Sequence, residues 1–529
     1  MKNLWLVVVC AVAMMGLFAC NSGSLGSAKL GKTAASAVPE NSAMVVGINL
    51  KSLMDKADMD AVKEMDFYKD MIAEAARQQG ETMAKILENP EQSGIDLNEN
   101  AYFFMDMEGK DKNGLVGFTF KIADEGDFET LVKESDMDAE KGNGYQYAVN
   151  NESVVAWDGT IGFVGTIADR YRDDKEVGKM LGKVFGNKSS ITDNSKAAKA
   201  LGGNHDVNYY FSSSSIVDMF GDELAMSEMF ISKEDLKNNQ FSGYTDFKKG
   251  EIISNGNSEL SKGLKSDLKM IFGEGSETDF SEYLPEDNLV MLMTGKLNFA
   301  GINQLLKDKG VNGMADMYMN SVGLTTNDIA KAIDGDMAVV MNAIKGNDEP
   351  AGVVTLKISD RKALDEILNK AEAIGIFRKD GENSYSVGGI GMGMPSGKLL
   401  IKDKVMIFSN DMAYLSKMEK DGLSESERIS KSKYKNANGV FGMYMDYANA
   451  VEGFAGMSPM GMNTGGMETM QYSIGWNESS SKITMADQSK NSLQVLIEGM
   501  NEAYLKDKEE RESWEREWEA EEETESVEM

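Results

Sequence analysis

The sequence contains an internal repeat, and this repeat constrains the fold more than any other feature. Residues 119–124 (TFKIAD) recur as residues 355–360 (TLKISD), and residues 128–132 (FETLV) recur at the same offset as residues 364–368 (LDEIL). In both copies an alternating pattern typical of a strand changes to the spacing of a helix, and an aspartate is placed to cap that helix. Chance rarely preserves such a change together with its cap, so we infer a duplicated module.

The segments around this motif recur in the same order. Matching strands or strand pairs are predicted at 44–50 and 289–295, 101–107 and 336–342, 153–166 and 398–409, 207–211 and 440–445, and 240–255 and 471–485. Apolar residues between 62 and 87 fall at helical spacing. We therefore predict an α+β fold of two tandem homologous modules, residues 39–280 and 281–504, each a mainly antiparallel sheet with helices on one face.

The sequence does not decide whether the two predicted sheets join. Separate lobes and a fused sheet both satisfy the repeat. Contact between the sheets would hide one exposed edge per module, and exposed edges promote association with other chains. This favours a fused arrangement.

The first twenty residues have the pattern of a lipoprotein export signal. A basic start containing Lys2 precedes an apolar run at 4–18, which is too short to cross a membrane. The ending Leu-Phe-Ala-Cys at 17–20 resembles the lipobox, in which cleavage precedes the cysteine and Cys20 is acylated. An ordinary secretory signal is the alternative. We thus predict a signal peptide at 1–19 and membrane attachment through a lipid on Cys20.

The residues after the signal, 20–38, are rich in Gly, Ser, Ala and Lys, which predicts a flexible tether. Cys10 and Cys20 are the only cysteines, so the body of the chain cannot form a disulfide framework. No acidic cluster of the kind seen in surface-displayed lipoproteins follows Cys20. This favours the outer membrane, facing the periplasm, over display on the cell surface.

The net charge of −31 limits the classes of partner. Nucleic-acid binding depends on cationic contacts that release counterions, so we expect no nucleic-acid partner. Anionic lipid head groups would also be repelled, which leaves the acyl chains as the membrane contact. A charge of this size chiefly indicates a soluble surface.

Motifs for catalysis, metals or cofactors are not recognisable. His205 is the only histidine, and we interpret it as a turn residue because no Gly-x-Ser-x-Gly motif accompanies it. Residues 391–399 resemble a phosphate loop but have the wrong glycine spacing and no Ser or Thr after Lys398. Residues 106–114 lack the register of a calcium loop and fit a hairpin better. We predict no catalytic residues, no metal and no cofactor.

A Gly/Met-rich segment of the second module is the first candidate binding surface. It contains Phe454, Met457, Met460, Met462 and Met467. We interpret it first as a loop and second as a surface for an apolar ligand or protein partner, since methionine gives adaptable apolar contacts. Copper(I) ligation by the methionines is the third interpretation.

The acidic tail, residues 505–529, is the second candidate. The chain from 493 to about 523 is predicted to be helical, and Trp514 and Trp518 are four residues apart on one face. The two interpretations are a docking helix for a basic partner or cation and a solvated extension whose tryptophans rest on the body. We favour the second.

The lipobox, the Pro-Glu-Asn opening at 39–41 and the repeated Thr-x-Lys-Ile-x-Asp unit together resemble a family of Bacteroides-type lipoproteins of about this length. That family is known only as a domain of unknown function. The resemblance implies an envelope location, and its motifs are structural. It implies no substrate, cofactor or catalytic residue.

These features predict a lipid-anchored envelope lipoprotein with a non-enzymatic binding or structural role. The alternative is a periplasmic carrier of a lipid or other apolar ligand, which would need a large apolar cavity. An envelope hydrolase with carboxylate catalysis is the third hypothesis, since carboxylates are abundant. The space between the two modules should distinguish a scaffold from a carrier.

Overall fold

The structure is a computed structural model, and it describes most of the chain from residue 33 onward. The predicted flexible tether at 20–38 is wrong at its end, because Ala34–Ala37 form a 3-10 turn that is buried with Val38 in the core of the first module. The described residues are 33–79, 81–108, 113–135, 137–150, 153–167, 174–186, 189–219, 232–320, 323–343, 350–387, 397–437, 439–454 and 464–528.

The first half contributes ten of the described strands. They are β1 (Met44–Asn49), β2 (Asn100–Glu108), β3 (Asn113–Lys121), β4 (Glu140–Lys141), β5 (Gln146–Asn150), β6 (Ser153–Trp157), β7 (Ile161–Ile167), β8 (Val207–Ser212), β9 (Gln240–Lys248) and β10 (Glu251–Glu259). The helices of this half are α1 (Leu50–Ala57), α2 (Met59–Lys63), α3 (Asp66–Gln79), α4 (Glu81–Glu88), α5 (Glu125–Glu134), α6 (Asp174–Phe185), α7 (Ser195–Leu201), α8 (Ser213–Met219), α9 (Lys233–Lys237) and α10 (Lys262–Phe272).

The second half repeats this series. Its strands are β11 (Leu289–Lys296), β12 (Ile333–Asn342), β13 (Ala351–Ile358), β14 (Phe377–Lys379), β15 (Ser384–Val387), β16 (Gly397–Lys402), β17 (Val405–Ser409), β18 (Phe441–Asp446), β19 (Met467–Ile474) and β20 (Glu478–Met485). Its helices are α11 (Phe299–Asp308), α12 (Asn312–Asn320), α13 (Thr326–Ala332), α14 (Arg361–Ala373), α15 (Met412–Lys420), α16 (Lys431–Asn436), α17 (Tyr447–Phe454) and α18 (Ser492–Glu528). Short 3-10 turns lie at Ala34–Ala37, Pro90–Ser93, Ile191–Asp193 and Ser281–Tyr283.

All these strands belong to one antiparallel sheet, and the two halves have the same strand order. In the first half the order is β4-β5-β6-β7-β3-β2-β1-β8-β9-β10. In the second half it is β14-β15-β16-β17-β13-β12-β11-β18-β19-β20, so each strand has its counterpart ten numbers later. The predicted α+β class, with two tandem modules and a mainly antiparallel sheet, is confirmed.

The two modules join edge to edge through their last strands. Strand β10 pairs with β20 in an unbroken antiparallel register from Glu251↔Thr484 to Asn257↔Glu478. Each of these strands would otherwise present a row of unpaired backbone N–H and C=O groups. The pairing therefore removes one open edge from each module and makes the sheet continuous.

Helices cover both faces of the sheet, where the sequence predicts them on one. Along β2, Tyr102 and Phe104 pack with Ala34–Ala37, α6 and α7 on what we call the front face. Ala101 and Phe103 pack with α1 to α5 on the opposite side, the back face. A run such as Ala-Tyr-Phe-Phe-Met is apolar on both sides of the pleat, and such strands are typically buried on both faces.

The closing helices pack on the module to which they do not belong. Helix α18 follows the last strand of the second module, yet its Leu493 and Val495 lie in the back-face core of the first, together with Trp157. Helix α10 follows the last strand of the first module and packs against α11 of the second, where Lys309 Nζ lies 2.9 Å from Asp267 Oδ2. This exchange is reciprocal, so it ties the modules together on the back face.

The repeated sequence motif has the same structural roles in both copies. Asp124 caps α5 by accepting the backbone N–H of Asp127 (3.0 Å), and Asp360 caps α14 by accepting from Lys362 (2.8 Å). The motif lysines form ion pairs: Lys121 with Asp96 and Glu99, and Lys357 with Asp334 and Asp336. The hydrogen bond to Asp96 is the main reason that the pKa of Lys121 lies above its usual range.

Local differences from the sequence prediction have simple causes. The helical stretch predicted at 62–87 is divided among α2, α3 and α4, and a left-handed Asp58 (φ 57°) separates α2 from the preceding α1. The strand pairs predicted at 153–166 and 398–409 are present as hairpins, with positive φ in their turns at Gly159 (81°) and Asp403 (54°). Among the described residues, no helix combines the length and apolar character needed to span a membrane.

The exchanged helix α18 generates a first prediction. Leu493 is 7% exposed within the first module's core. Leu493→Ala should therefore lower the free energy of unfolding by about 2–5 kcal/mol, the usual cost of a Leu-sized cavity. Chemical denaturation followed by fluorescence measures this, since the fully buried Trp157 lies in the same core.

The matched control is Met500→Ala on the same helix, because Met500 is 42% exposed. Its effect should stay within about 0.5 kcal/mol. Equal effects of the two substitutions would contradict the exchange of helices between the modules.

Candidate binding face

The sequence-predicted binding residues are only partly within the described chain. Cys20, Met457, Met460 and Met462 lie outside it, as does the side chain of Phe454. The predicted lipid anchor and most of the Gly/Met surface thus stay predictions.

Met467 is the described member of the Gly/Met set. It begins β19 opposite Met485, and it packs against the back-face core of the first module. Its contacts are therefore internal and contribute to the junction between the modules.

The tryptophans of the tail are held away from the body. Trp514 is 73% exposed and Trp518 is 68% exposed, both on α18. The favoured interpretation, in which these rings rest on the body, is therefore wrong. The first turns of α18 make the contact with the body, and these turns lie well before the tryptophans.

The junction between the modules creates a polar surface on the front face that sequence reasoning missed. Strand register places two rows of side chains across β9, β10, β20 and β19, since alternate residues of a strand point to one side. The rows, which we call the central front face, are Tyr244, Asn255, Ser480, Ser473 and Asp246, Ile253, Lys482, Gln471.

The central front face is accessible and strongly polar. Ser480 and Lys482 are exposed, the other six side chains are partly buried, and Ile253 is the only purely aliphatic one of the eight. The four strands place about 15 Å between the two outer rows of backbone. Hydroxyl, amide and charged groups thus alternate over an area wide enough for an extended polar ligand or a protein loop.

Cross-strand contacts order this surface. The Asn255 amide donates to the Tyr244 hydroxyl (2.9 Å) across β9 and β10. At the junction itself, Lys482 Nζ of β20 lies 2.5 Å from Glu251 Oε2 of β10. These contacts link neighbouring strands, and the second one links the modules through side chains as well as backbone.

His205 stands at the rim of the central front face. Its ring stacks on Tyr244 with 3.4 Å between centroids, and its Nδ1 lies 3.0 Å from Asp246 Oδ2. The residue lies in a bend before β8, as expected of a turn residue. Through these two contacts, His205 also orients the side chains of Tyr244 and Asp246.

The residue after the histidine fixes this rim to the body. The Asp206 side chain is 2% exposed and lies 2.6 Å from Lys56 Nζ. It also accepts the Ser52 hydroxyl (2.6 Å) and the Phe247 backbone N–H (2.7 Å). Asp206 therefore binds α1, β8 and β9 together beneath the face.

Two open clefts lie away from the central front face. One, of about 550 Å³, is lined partly by Lys398, Lys402, Asp403 and Glu419. The other, of about 340 Å³, is bordered by charged groups that include Lys296. Apolar carriers need apolar cavities, and these clefts have charged walls.

The charges in the larger cleft compensate one another. Lys398 Nζ lies 2.8 Å from Glu419 Oε1, and this hydrogen bond is the main reason that the pKa of Glu419 falls below its ordinary value. In the described part of the chain, no group of three or more His, Cys, Asp or Glu side chains has the geometry of a metal site.

The buried Asp206 leads to a prediction about the rim. Asp206→Ala leaves the Lys56 ammonium and the Phe247 N–H without their shared acceptor. Loss of one partner of a buried pair typically costs about 3–5 kcal/mol, so the urea midpoint should fall clearly. Asp55→Ala is the control, because Asp55 and Lys51 form a solvent-exposed pair worth less than about 1 kcal/mol. Similar midpoints for the two variants would disprove the anchoring role.

Similarity to known proteins is limited. No curated protein matches the chain. Solved structures of TP0453 resemble part of it: crystal form III has a TM-score of 0.26 at 9% identity, covering 46% of this chain and 88% of that one. Crystal form I has a TM-score of 0.25 at 11% identity, covering 44% and 81% respectively. Similarity at this level supports no functional statement.

A family model gives a broader match. The model described as "Domain of unknown function (DUF4836)" matches residues 35–450, which is most of the chain and includes all of the first module and most of the second. The protein therefore belongs to the DUF4836 family.

Proposed function

We propose that this protein is a lipid-anchored lipoprotein of the cell envelope with a non-enzymatic binding or structural role. The lipid on Cys20 would hold it in the outer membrane, facing the periplasm, as expected for a Bacteroides-type lipoprotein. The folded body would present the central front face to a polar partner.

The continuous sheet is the observation that carries this proposal. Backbone pairing of β10 with β20 and the exchange of α10 and α18 make the two modules one rigid body. A surface that crosses the junction is then preorganised, which lowers the entropic cost of binding. A rigid polar platform suits recognition or support.

The shape of the junction favours this role over apolar transport. A lipid carrier needs an enclosed apolar space, whereas β10 and β20 meet directly by hydrogen bonds. The two clefts described above, away from the junction, have charged linings. The partner we expect is accordingly polar, and its contacts would be hydrogen bonds to side chains such as Tyr244, Asn255 and Ser480.

The lipid anchor is testable in cells grown with an alkyne-labelled fatty acid. The intact protein should carry the label and sediment with membranes, because Cys20 is the acceptor. Cys20→Ala should lose the label and leave the membrane fraction. Cys10→Ala is the control and should behave as the parent. Labelling that survives in Cys20→Ala would disprove the anchor.

The central front face is testable by cysteine labelling. Ser480→Cys introduces a thiol at an exposed position of β20, and the only native cysteines lie in the leader and at the proposed anchor. Polar maleimide should label this variant fully when purified. In permeabilised envelopes, a bound partner should protect it.

Ser426→Cys is the matched control, because Ser426 is exposed in a loop far along the chain from the face. It should label equally in both preparations. If Ser480→Cys labels as well in envelopes as when purified, the face has no partner there, and the proposed binding role of this face fails while the lipid anchor is unaffected.

A further inference from the structure

Helix α18 continues well beyond its contact with the body. Its first turns pack on the first module, and the contact ends where Asp70 accepts from the Tyr504 hydroxyl (2.7 Å) and from Lys508 Nζ (2.6 Å). These two hydrogen bonds also hold the pKa of Asp70 below its ordinary range. The helix then runs on to Glu528, which is about 30 Å further at 1.5 Å per residue.

This projecting part, residues 509–528, exposes large apolar side chains. Trp514 and Trp518 lie one turn apart on the same side of the helix and are 73% and 68% exposed. A tryptophan carries about 150–250 Å² of surface that water solvates poorly. Because the helix is fixed at Asp70, the two tryptophans project from the body in a defined direction. They cannot contact the body unless the helix breaks.

The charge around the pair selects the kind of partner. Residues 509–528 contain eleven glutamates and two arginines. Anionic lipid surfaces and nucleic acids would be repelled by this segment. A second copy of the chain would be repelled too, since its own net charge is −31. A partner with positive charge around an apolar recess would attract the glutamates and would also shield the two tryptophan rings from water.

We propose that the Trp514 and Trp518 side of α18 docks into an apolar groove rimmed by lysine or arginine on a separate basic protein. The two rings fill the groove, as the anchors of helix-in-groove complexes do. The surrounding carboxylates face the basic rim and accelerate the encounter. This surface is distinct from the central front face, and its use does not depend on that face being occupied.

Photo-crosslinking in living cells tests the proposal on the full chain. p-Benzoylphenylalanine replaces Trp514, Trp518 or Arg516, each in a separate variant. Arg516 is the matched control, because it is exposed on the same helix and lies about 200° around the axis from Trp514. We expect one shared protein adduct from positions 514 and 518, with little or none from 516.

Charge dependence and composition identify the type of partner. In a background with Glu510→Gln, Glu512→Gln and Glu515→Gln, the adduct at 514 should fall at least several-fold, and added salt should reduce it in the parent. The cross-linked peptide of the partner should combine apolar residues with lysine or arginine. Trp514→Ala with Trp518→Ala should leave the melting temperature unchanged, since neither ring packs on the body.

Each remaining outcome overturns the proposal. These are the absence of an adduct, equal adducts from all three positions, an adduct with a second copy of the chain or with lipid, and an adduct insensitive to the glutamine substitutions. A clear loss of melting temperature in the double alanine variant would also overturn it, because the rings would then be part of the fold. Failure here leaves the Cys20 and Ser480 experiments untouched.

Discussion

The pairing of β10 with β20 is the interaction on which the rest of the architecture depends. Each module ends in a strand whose outer edge would be open, and an open edge invites association with other chains. Seven consecutive residue pairs close both edges against each other. Because this contact is made by backbone groups, it fixes the register between the two modules. The same register sets the positions of the side chains on both faces of the junction.

The two faces of the junction then have different roles. On the back face, α18 buries Leu493 and Val495 in the core of the first module, and α10 packs against α11 of the second, so both helices stabilise the joint. On the front face, the same four strands carry Tyr244, Asn255, Ser480 and Lys482, which water or a partner can reach. Rigidity supplied by one face is thus available for recognition at the other. A duplicated module achieves this without a second chain, because the symmetric contact is intramolecular.

The sequence predicts the modules better than their assembly. Short-range chemistry places the Asp124 and Asp360 caps and the turn at Gly159, since each depends on neighbours within a few residues. The continuous apolar run of β2 indicates burial on both faces of the sheet, whereas the sequence prediction places helices on one face only. The pairing of β10 with β20 joins residues more than two hundred positions apart, and nothing local specifies it. The alternating polar residues of β9 and β10 gave a signal for the central front face, yet they also fit an ordinary solvated strand.

The positions of the chain ends explain how two surfaces can work at once. The described chain enters the fold at Ala34–Ala37, which packs on the front face of the first module. Helix α18 packs on the back face of the same module before it projects. The described chain therefore enters the fold on one side of the sheet, and the helix that carries Trp514 and Trp518 leaves it from the other. If the proposed lipid on Cys20 holds the protein at the membrane, the acidic helix can reach a partner without removing whatever occupies the central front face.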